Sequence, residues 1–290
     1  MIRAALVQMD ATALDPAGNF EKILGFLEQE ASVGADLVIF PELSNTGYVE
    51  PLVPGGPFVS DVPDYASALV AACADIDGPE VARIVQLCRE RQVSAIVGLG
   101  LRDAVQPAVI RNSALVVTPD GIAGCYAKVH QWHNEKLYFT PGSSIEPYPA
   151  LGTRLGVQIC YDIRFPEITR ILAVKGASIV ASIWASFGAD GAPVPDEDLF
   201  VHRCYTRAVE NGIFVLSCNR AGLHGTSRFF GRSCALAPDG RVLGRLNHDR
   251  EDVLRIEIDL ADIARYRAAT GIWADRVPMI YAANLSETTI

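Results

Sequence analysis

The chain has 290 residues, half of them apolar, and its 25 Lys and Arg against 34 Asp and Glu give a net charge of −9. This composition excludes a disordered protein, because the apolar residues suffice for a sizeable core. The acidic balance argues against general binding to nucleic acid or to an anionic membrane, which select basic surfaces. We therefore expect a folded protein whose partners are small molecules or other proteins.

Strand and helix patterns alternate along the first half of the chain. Apolar runs at 3–8 and 35–40 predict buried strands, and apolar residues at helical spacing predict a helix from Asp15 to Gly34 between them. The patterns that follow predict a helix over 79–91 and strands over 94–101, 114–118 and 122–129. The segment 51–64, rich in Pro, Gly and Val, is predicted to run over the surface.

The second half repeats the alternation. Strands are predicted over 154–160, 177–183, 212–218, 232–238 and 252–260, with helices over 165–176 and 196–212. No Gly/Ser-rich or charged linker separates the halves, so residues 1–290 are predicted to form one domain. Helices interleaved with strands that are buried on both faces predict an α/β fold with helices layered over sheets.

The cysteines and the N-terminus predict a cytoplasmic location. The seven cysteines include no CxxC pair, so neither a disulfide framework nor a zinc ribbon is predicted. The opening apolar stretch is interrupted by Gln8 and Asp10 and is too short for a secretory signal. No run of about eighteen apolar residues predicts a membrane span.

Three side chains that can do chemistry lie at the ends of predicted strands. Glu42 follows the strand at 35–40, Lys128 ends the strand at 122–129, and Cys160 ends the strand at 154–160. Strand ends that precede helices are where α/β folds gather active-site groups. Helix N–H groups beside Cys160 are expected to lower the pKa of its thiol. Taken singly, each residue also fits an ordinary role, as a solvated loop acid, a solvated lysine or a core thiol.

The segments around these three residues favour a chemical role over an ordinary structural one. PELSNTGY, YAKVHQWHNEKLYFTPG and GVQICYDIRFPE resemble, in the same order, the three signature segments of the nitrilase superfamily of carbon–nitrogen hydrolases. The resemblance extends from the opening AALVQMD to the NRAG stretch at 219–222. It implies the α/β fold of that family, a four-layer αββα sandwich. It also implies a homodimer or a larger homo-oligomer.

The resemblance implies a catalytic role for four residues. Glu42 corresponds to the general base, Lys128 to the cationic stabiliser and Cys160 to the nucleophile. Glu135 corresponds to a second family glutamate, which lines the pocket and orients the substrate or the lysine. These residue types suit amide hydrolysis, because the thiol must lose a proton before it attacks the carbonyl, and the resulting oxyanion needs positive charge. None of these steps needs a cofactor.

Four aromatic residues are candidates for substrate binding: Tyr48, Trp132, Tyr161 and Trp184. Tyr48 and Trp184 are predicted to line the pocket, whereas Trp132 fits packing equally well. The backbone N–H of Tyr161 is expected to help Lys128 hold the oxyanion. The loops 45–64, 130–147 and 184–197 are expected to set the size of the pocket.

A metal site is not predicted. His130, His133 and Glu135 form an HxxHxE pattern, but the spacing is that of neither a zincin helix nor a zinc finger. Arg164, Arg220 and Arg228 are available to clamp a substrate carboxylate, although their side-chain directions cannot be inferred from sequence. A structural salt bridge between Arg164 and Glu167 is at least as consistent with the pattern.

The pair after the nucleophile bears on the reaction. True nitrilases commonly carry Trp-Glu there, whereas Tyr161-Asp162 resembles the amidase and carbamoylase branches. The prediction is an amidase that releases ammonia from a small carboxamide or ω-carboxamide. The first alternative is an N-carbamoyl amine or amino acid hydrolase, which also releases carbon dioxide. A nitrilase and a non-catalytic scaffold are the remaining alternatives. The C-terminal tail from about residue 266 is expected to pack on a partner subunit.

Overall fold

Two six-stranded β-sheets face each other in the computed structural model, which describes residues 1–48, 64–189, 198–225 and 227–285. The strands are β1 (Ile2–Gln8), β2 (Leu37–Ile39), β3 (Ser94–Arg102), β4 (Ile110–Thr118), β5 (Gly121–Ala127), β6 (Tyr148–Ala150), β7 (Thr153–Ile159), β8 (Ile179–Trp184), β9 (Phe187–Ala189), β10 (Phe214–Asn219), β11 (Leu223–His224), β12 (Ser227–Phe229), β13 (Cys234–Leu236), β14 (Val242–Arg245) and β15 (Asp252–Ile258). The helices are α1 (Pro16–Ser32), α2 (Tyr65–Ala72), α3 (Pro79–Arg91), α4 (Glu135–Tyr138), α5 (Pro166–Val174), α6 (Leu199–Asn211), α7 (Ala261–Thr270) and α8 (Pro278–Leu285).

The two sheets have related topologies. The first has the order β15-β1-β2-β3-β4-β5 and the second the order β14-β13-β10-β8-β7-β6. In each sheet three central strands are parallel: β1, β2 and β3 in the first, and β7, β8 and β10 in the second. Parallel neighbours need a crossover connection. Helices α1 and α3 occupy the crossovers of the first sheet, and α5 and α6 those of the second.

Three apolar clusters define four layers. Side chains from both sheets, among them Leu6 and Val157, meet in the central cluster. A second cluster joins the outer face of the first sheet to α1 and α3, where Leu27 and Ile84 are fully buried. The third joins the second sheet to α5 and α6, with Leu172 among its members. This arrangement is the predicted αββα sandwich.

The long predicted elements are confirmed, with boundaries that shift by a few residues. The helix predicted over 196–212 begins at Leu199, and residues 196 and 197 lie outside the described part of the chain. The surface segment predicted at 51–64 lies outside it as well, except for Asp64.

Helices α2, α4, α7 and α8 and several short strands were not predicted. Helices α7 and α8 have only one buried residue between them, so they lack the apolar stripe by which a helix is recognised in sequence. The C-terminal tail predicted from about residue 266 begins inside α7. Within the described residues, no helix is both long enough and apolar enough to span a membrane.

Candidate active site

The loop after β2 places Glu42 inside the protein. The residues from Glu42 to Tyr48 are all buried, so this loop lies under the surface. Gly98 of β3 makes the close approach possible, because a Cβ there would lie 2.1 Å from the carbonyl oxygen of Pro41. Ser44 N–H donates to the Gly98 carbonyl (2.7 Å), and Ser44 Oγ donates to the Pro41 carbonyl (2.7 Å). The glycine within the apolar strand is the sequence signal for this arrangement.

Both oxygens of the Glu42 carboxylate are held. Oε1 accepts hydrogen bonds from Lys128 Nζ and from Asn112 Nδ2, each 2.7 Å long. Oε2 accepts one from the backbone N–H of Ala185 (2.8 Å), just after β8. The first sheet therefore supplies the acid, and the second sheet helps to orient it. Sequence reasoning missed Asn112, although an asparagine inside the apolar strand β4 is a signal for a buried polar contact.

Lys128 lies between two glutamates. Its ammonium group donates to Glu42 and to Glu135, with Nζ 2.8 Å from Glu135 Oε1. The side chains of Lys128 and Glu42 are fully buried, and that of Glu135 is 4 % exposed. Tyr48 Oη also donates to Glu135 Oε1 (2.9 Å). The structure thus brings together Glu42, Lys128, Glu135 and Tyr48, all of which were predicted site residues.

Burial and charge act in opposite directions on this cluster. Burial alone lowers the pKa of Lys128, but the two carboxylates outweigh it and hold that pKa well above its usual range. Burial raises the pKa of Glu135 to about 7, with Lys128 opposing the rise and Glu42 adding to it. Lys128 therefore stays charged at neutral pH, whereas Glu135 is poised near its midpoint.

Cys160 occupies a sharp turn between β7 and α5. Its backbone φ of +47° lies in the left-handed region that residues other than glycine rarely adopt. A short 3-10 turn over Cys160–Arg164 follows, and α5 begins at Pro166. The side chain is partly exposed, unlike the apolar residues of β7 before it. Such a strand–turn–helix geometry lifts a nucleophile out of the sheet.

The expected lowering of the Cys160 pKa is wrong. Burial and the charge of Glu42 raise the pKa of the thiol well above its usual range, and they outweigh Lys128 and the backbone N–H of Ala185. The thiol is therefore neutral in the free protein and needs a base. The Lys128–Glu42 pair lies close enough to interact electrostatically with it.

Asp162, which sequence reasoning did not assign to the site, joins the lysine segment to the cysteine segment. Its carboxylate accepts hydrogen bonds from Tyr126 Oη (2.7 Å), Ile159 N–H (3.0 Å) and His130 N–H (3.0 Å). His130 Nδ1 lies 2.9 Å from the same carboxylate. Tyr126 and His130 flank Lys128 by two residues on either side, so Asp162 fixes the lysine relative to Cys160.

Trp132 and Tyr161 lie side by side. Their rings meet edge to face with centroids 4.7 Å apart. Both side chains are partly exposed, and Tyr161 directly follows the nucleophile. These two predicted residues therefore form an aromatic wall beside Cys160.

Trp184, the fourth aromatic candidate, lies in the layer between the second sheet and its helices. Strand β8 extends one residue further than predicted and includes Trp184, which therefore points to the opposite face from Ile183. Ile183 faces the other sheet, whereas Trp184 is 1 % exposed in the cluster beneath α5 and α6. Its ring meets Phe200 of α6 edge to face, at 5.2 Å.

The described residues contain no group of three His, Cys, Asp or Glu side chains arranged to hold a metal ion. The members of the HxxHxE pattern have separate contacts. The His130 ring stacks on Phe165 (3.6 Å) and the His133 ring on Trp132 (3.9 Å), while Glu135 bonds to Lys128.

Arg220, a predicted candidate for clamping a carboxylate, is a core residue. It is 1 % exposed and donates to the backbone carbonyls of Tyr48 (2.9 Å) and Ala11. Its guanidinium carbon lies 3.7 Å from the centre of the Phe229 ring. Arg228, which was also a candidate for clamping a substrate carboxylate, pairs with Asp249.

The chain is similar to known proteins in both sequence and fold. The carbon-nitrogen hydrolase family model matches residues 3–268. A probable nitrilase of Schizosaccharomyces pombe is 30 % identical over 97 % of this chain and 98 % of its own, and the 2-oxoglutaramate amidase of Bacillus subtilis is 30 % identical over 93 % and 95 %. The crystal structure of a carbon-nitrogen hydrolase from Helicobacter pylori superimposes with a TM-score of 0.83, at 26 % identity over 98 % of both chains.

Proposed function

We propose that this chain, which belongs to the carbon–nitrogen hydrolase family, is an amidase that hydrolyses small carboxamides or ω-carboxamides to a carboxylate and ammonia through a thioester on Cys160. The observation that carries the proposal is the position of the Cys160 thiol, on a strained turn beside the buried Glu42–Lys128–Glu135 cluster. A buried ion pair beside a nucleophile is costly to maintain for stability alone.

In the first step Glu42 accepts the proton of the Cys160 thiol while Sγ forms a bond to the amide carbonyl carbon. The carbonyl oxygen becomes an oxyanion. Lys128 has three N–H donors, of which its two glutamates use two, so the third is available to the oxyanion. The backbone N–H of Tyr161 is the second proposed donor.

Collapse of this intermediate breaks the C–N bond. Glu42 returns its proton to the departing nitrogen, so ammonia leaves as a neutral molecule. Water then attacks the thioester, with Glu42 accepting one of its protons. The C–S bond breaks, the acid is released, and Glu42 reprotonates Cys160. The positions of Glu42 and Lys128 therefore serve both half-reactions.

The amide is favoured over the nitrile as the substrate. The pair Tyr161-Asp162 after the nucleophile differs from the Trp-Glu of true nitrilases, and Asp162 has a well-formed set of partners here. The relative named as a 2-oxoglutaramate amidase supports the amide class, whereas the one named as a probable nitrilase represents the competing assignment.

The test is the release of ammonia and of carbon dioxide from a panel of aliphatic amides, ω-amides, N-carbamoyl compounds and nitriles. Ammonia alone, from amides only, is the expected result. Equal amounts of carbon dioxide and ammonia from carbamoyl compounds would replace the amidase with a carbamoylase that uses the same residues. Release from nitriles alone would reject both.

Covalent catalysis has its own test, with a matched cysteine control. Cys160→Ala is expected to abolish turnover, and substrate is expected to protect Cys160 from iodoacetamide in the wild-type protein. Cys125→Ala is the control, because Cys125 is also a partly exposed free cysteine but lies within β5. If Cys160→Ala retained full activity, the thioester mechanism would be rejected. An inert, unprotected Cys160 in an inactive protein would point to a scaffold.

We also propose that the protein is a homodimer or a larger homo-oligomer that packs through its C-terminal helix. Helix α8 has no buried residue. Four large apolar side chains are exposed on it: Met279, Ile280, Tyr281 and Leu285. Apolar side chains on a short helix need a partner surface to stabilise it. Light scattering is expected to show a smaller species when the chain is truncated after Arg276. An unchanged mass would reject this role for α8.

The cytoplasm is the proposed location. All seven cysteines are free in the structure, and five of them are buried. A nucleophilic thiol is preserved best where glutathione and thioredoxin keep thiols reduced. Fractionation of cells that express the protein with a small epitope tag tests this location.

A further inference from the structure

Two arginines lie beside the aromatic wall and the nucleophile. Arg164 belongs to the 3-10 turn that begins at Cys160, and Arg203 belongs to α6. Neither takes part in the cluster of Glu42, Lys128 and Glu135. The sequence offers Arg164 either as a clamp for a carboxylate or as a salt-bridge partner of Glu167, and it gives no signal for Arg203.

Arg164 is held by the aromatic wall. Its guanidinium carbon lies 4.8 Å from the centre of the Trp132 ring and 5.3 Å from that of the Tyr161 ring. The side chain is otherwise exposed. Stacking uses the face of a guanidinium group and leaves its N–H edges free to donate.

Arg203 is held in a similar way by Trp184. Its guanidinium carbon lies 5.7 Å from the centre of that ring, and the side chain is partly buried. Helix α6 packs against the 3-10 turn that begins at Cys160, because Arg207 donates to the Ile163 carbonyl, and Arg203 lies one turn earlier on the same helix. The buried Trp184 thus acts as a platform for a cation.

The two cations affect each other and the nucleophile. Burial and the charge of Arg164 lower the pKa of Arg203, while the nearby Cys160 opposes that change. Like charges at this proximity destabilise the free protein. An anion bound between them would relieve the repulsion.

Among the residues that the structure describes, neither arginine has a hydrogen bond or an ion pair with an acid, and the suggested salt bridge between Arg164 and Glu167 does not form. The contrast lies on the same helix. Arg207, one turn after Arg203 on α6, donates to the Ile163 carbonyl (2.8 Å) and pairs with Glu210 (3.1 Å). Arg203 therefore keeps its donors available where Arg207 does not.

We infer that Arg164 and Arg203 form a subsite for a carboxylate on the substrate, so that the preferred amides are those whose other end is a carboxylate. This inference rests on the amidase function proposed above and narrows its substrate class to anionic ω-amides. Guanidinium groups suit this task, because their planar edges match a carboxylate with two parallel hydrogen bonds. The aromatic wall and Trp184 hold both groups in place before the substrate arrives.

The experiment compares two pairs of substrates that differ only in charge: succinamate with succinamide, and glutaramate with glutaramide. The readout is the ratio of kcat/KM for the anionic amide to that for the neutral diamide. We expect the wild-type protein to favour the anion at least tenfold. Arg203→Gln and Arg164→Gln are each expected to lower the ratio by roughly ten- to a hundredfold, as loss of a charged hydrogen bond does.

Arg89→Gln is the matched control, since it removes the same charge from α3, on the outer face of the other sheet. It is expected to leave the ratio unchanged. Arg203→Lys keeps the charge but not the planar edge, so an intermediate ratio is expected. The subsite would be rejected if the Arg164→Gln and Arg203→Gln variants lost kcat/KM equally for the anionic and the neutral amides, or lost it for neither. The amidase function would stand in both cases.

A binding measurement separates the two proposals if no amide is hydrolysed. Calorimetry follows glutarate binding to the Cys160→Ala protein, with and without Arg203→Gln. Binding that the second substitution weakens tenfold or more supports the subsite even when the amidase assignment fails. Equal binding in both proteins, or none in either, overturns the subsite.

Discussion

Lys128 and Arg220 are both buried cations, and their surroundings differ in a way that separates chemistry from architecture. Lys128 lies between the carboxylates of Glu42 and Glu135, whereas Arg220 contacts two backbone carbonyls and an aromatic ring. Carboxylates hold the pKa of Lys128 above its usual range, and burial lowers the pKa of Arg220 to about 10.

The difference is instructive because both cations contact the loop after β2, Lys128 at Glu42 and Arg220 at Tyr48. Arg220 holds the backbone of Tyr48, and the hydroxyl of Tyr48 donates to the carboxylate that Lys128 also contacts. A buried cation balanced by acids presents a strong local field to a reacting group. A buried cation that binds only carbonyls instead orders the loop that carries other groups.

Removing Lys128 should have the largest effect. Lys128→Met leaves Glu42 and Glu135 facing each other without a cation and removes the proposed oxyanion donor. We expect kcat to fall by about 10³-fold or more, and the free energy of unfolding at pH 8 to fall by about 3 kcal/mol. Amide turnover and chemical denaturation measure the two effects. Retention of more than a tenth of the wild-type kcat would contradict a catalytic role for this cation.

Removing Arg220 should affect stability more than chemistry. Arg220→Met fills a similar volume but leaves the carbonyls of Tyr48 and Ala11 without their donor. We expect the free energy of unfolding to fall by about 2–3 kcal/mol and kcat to fall about tenfold at most. A loss of kcat as large as that for Lys128→Met, with unchanged stability, would erase the distinction between the two cations.

The acid between them should make stability depend on pH. The carboxyl of Glu135 has a pKa of about 7 in the folded protein, against about 4.3 for a glutamate in an unfolded chain. The folded state therefore binds more protons between these values, and its stability falls as pH rises through that window. Relative to Glu135→Gln, the wild-type protein should lose about 2 kcal/mol of unfolding free energy between pH 5 and pH 8. A constant difference would mean that Glu135 stays ionised throughout.

The hydroxyl that links the two regions should have the smallest effect. Tyr48→Phe removes one hydrogen-bond donor to Glu135. The pKa of Glu135 should therefore rise further, and its ion pair with Lys128 should weaken. We expect kcat to fall by roughly three- to tenfold, which corresponds to about 1 kcal/mol. Tyr205→Phe, on the exposed face of α6, is the control. An unchanged kcat together with an unchanged stability profile against pH would exclude this link.

The sequence by itself determined the fold class and three of the strand ends that form the site. Apolar runs and helical periodicity are local properties, so they predicted the central strands and the helices that cover them. The segments around Glu42, Lys128 and Cys160 carried the resemblance to one family, and Glu135 followed from its distance to the lysine.

Only the tertiary structure decided which side chains meet. Asp162 binds Tyr126, which lies 36 positions earlier in the chain, and Asn112 binds Glu42, which lies 70 positions earlier. Such separations leave no local pattern in the sequence. Strand β8 includes Trp184, so this side chain packs in the helix layer while Ile183 faces the other sheet, because side chains alternate between the faces of a strand. Likewise, the sign of the Cys160 pKa shift depends on how burial and Glu42 balance Lys128, a sum over distances that exist only after folding.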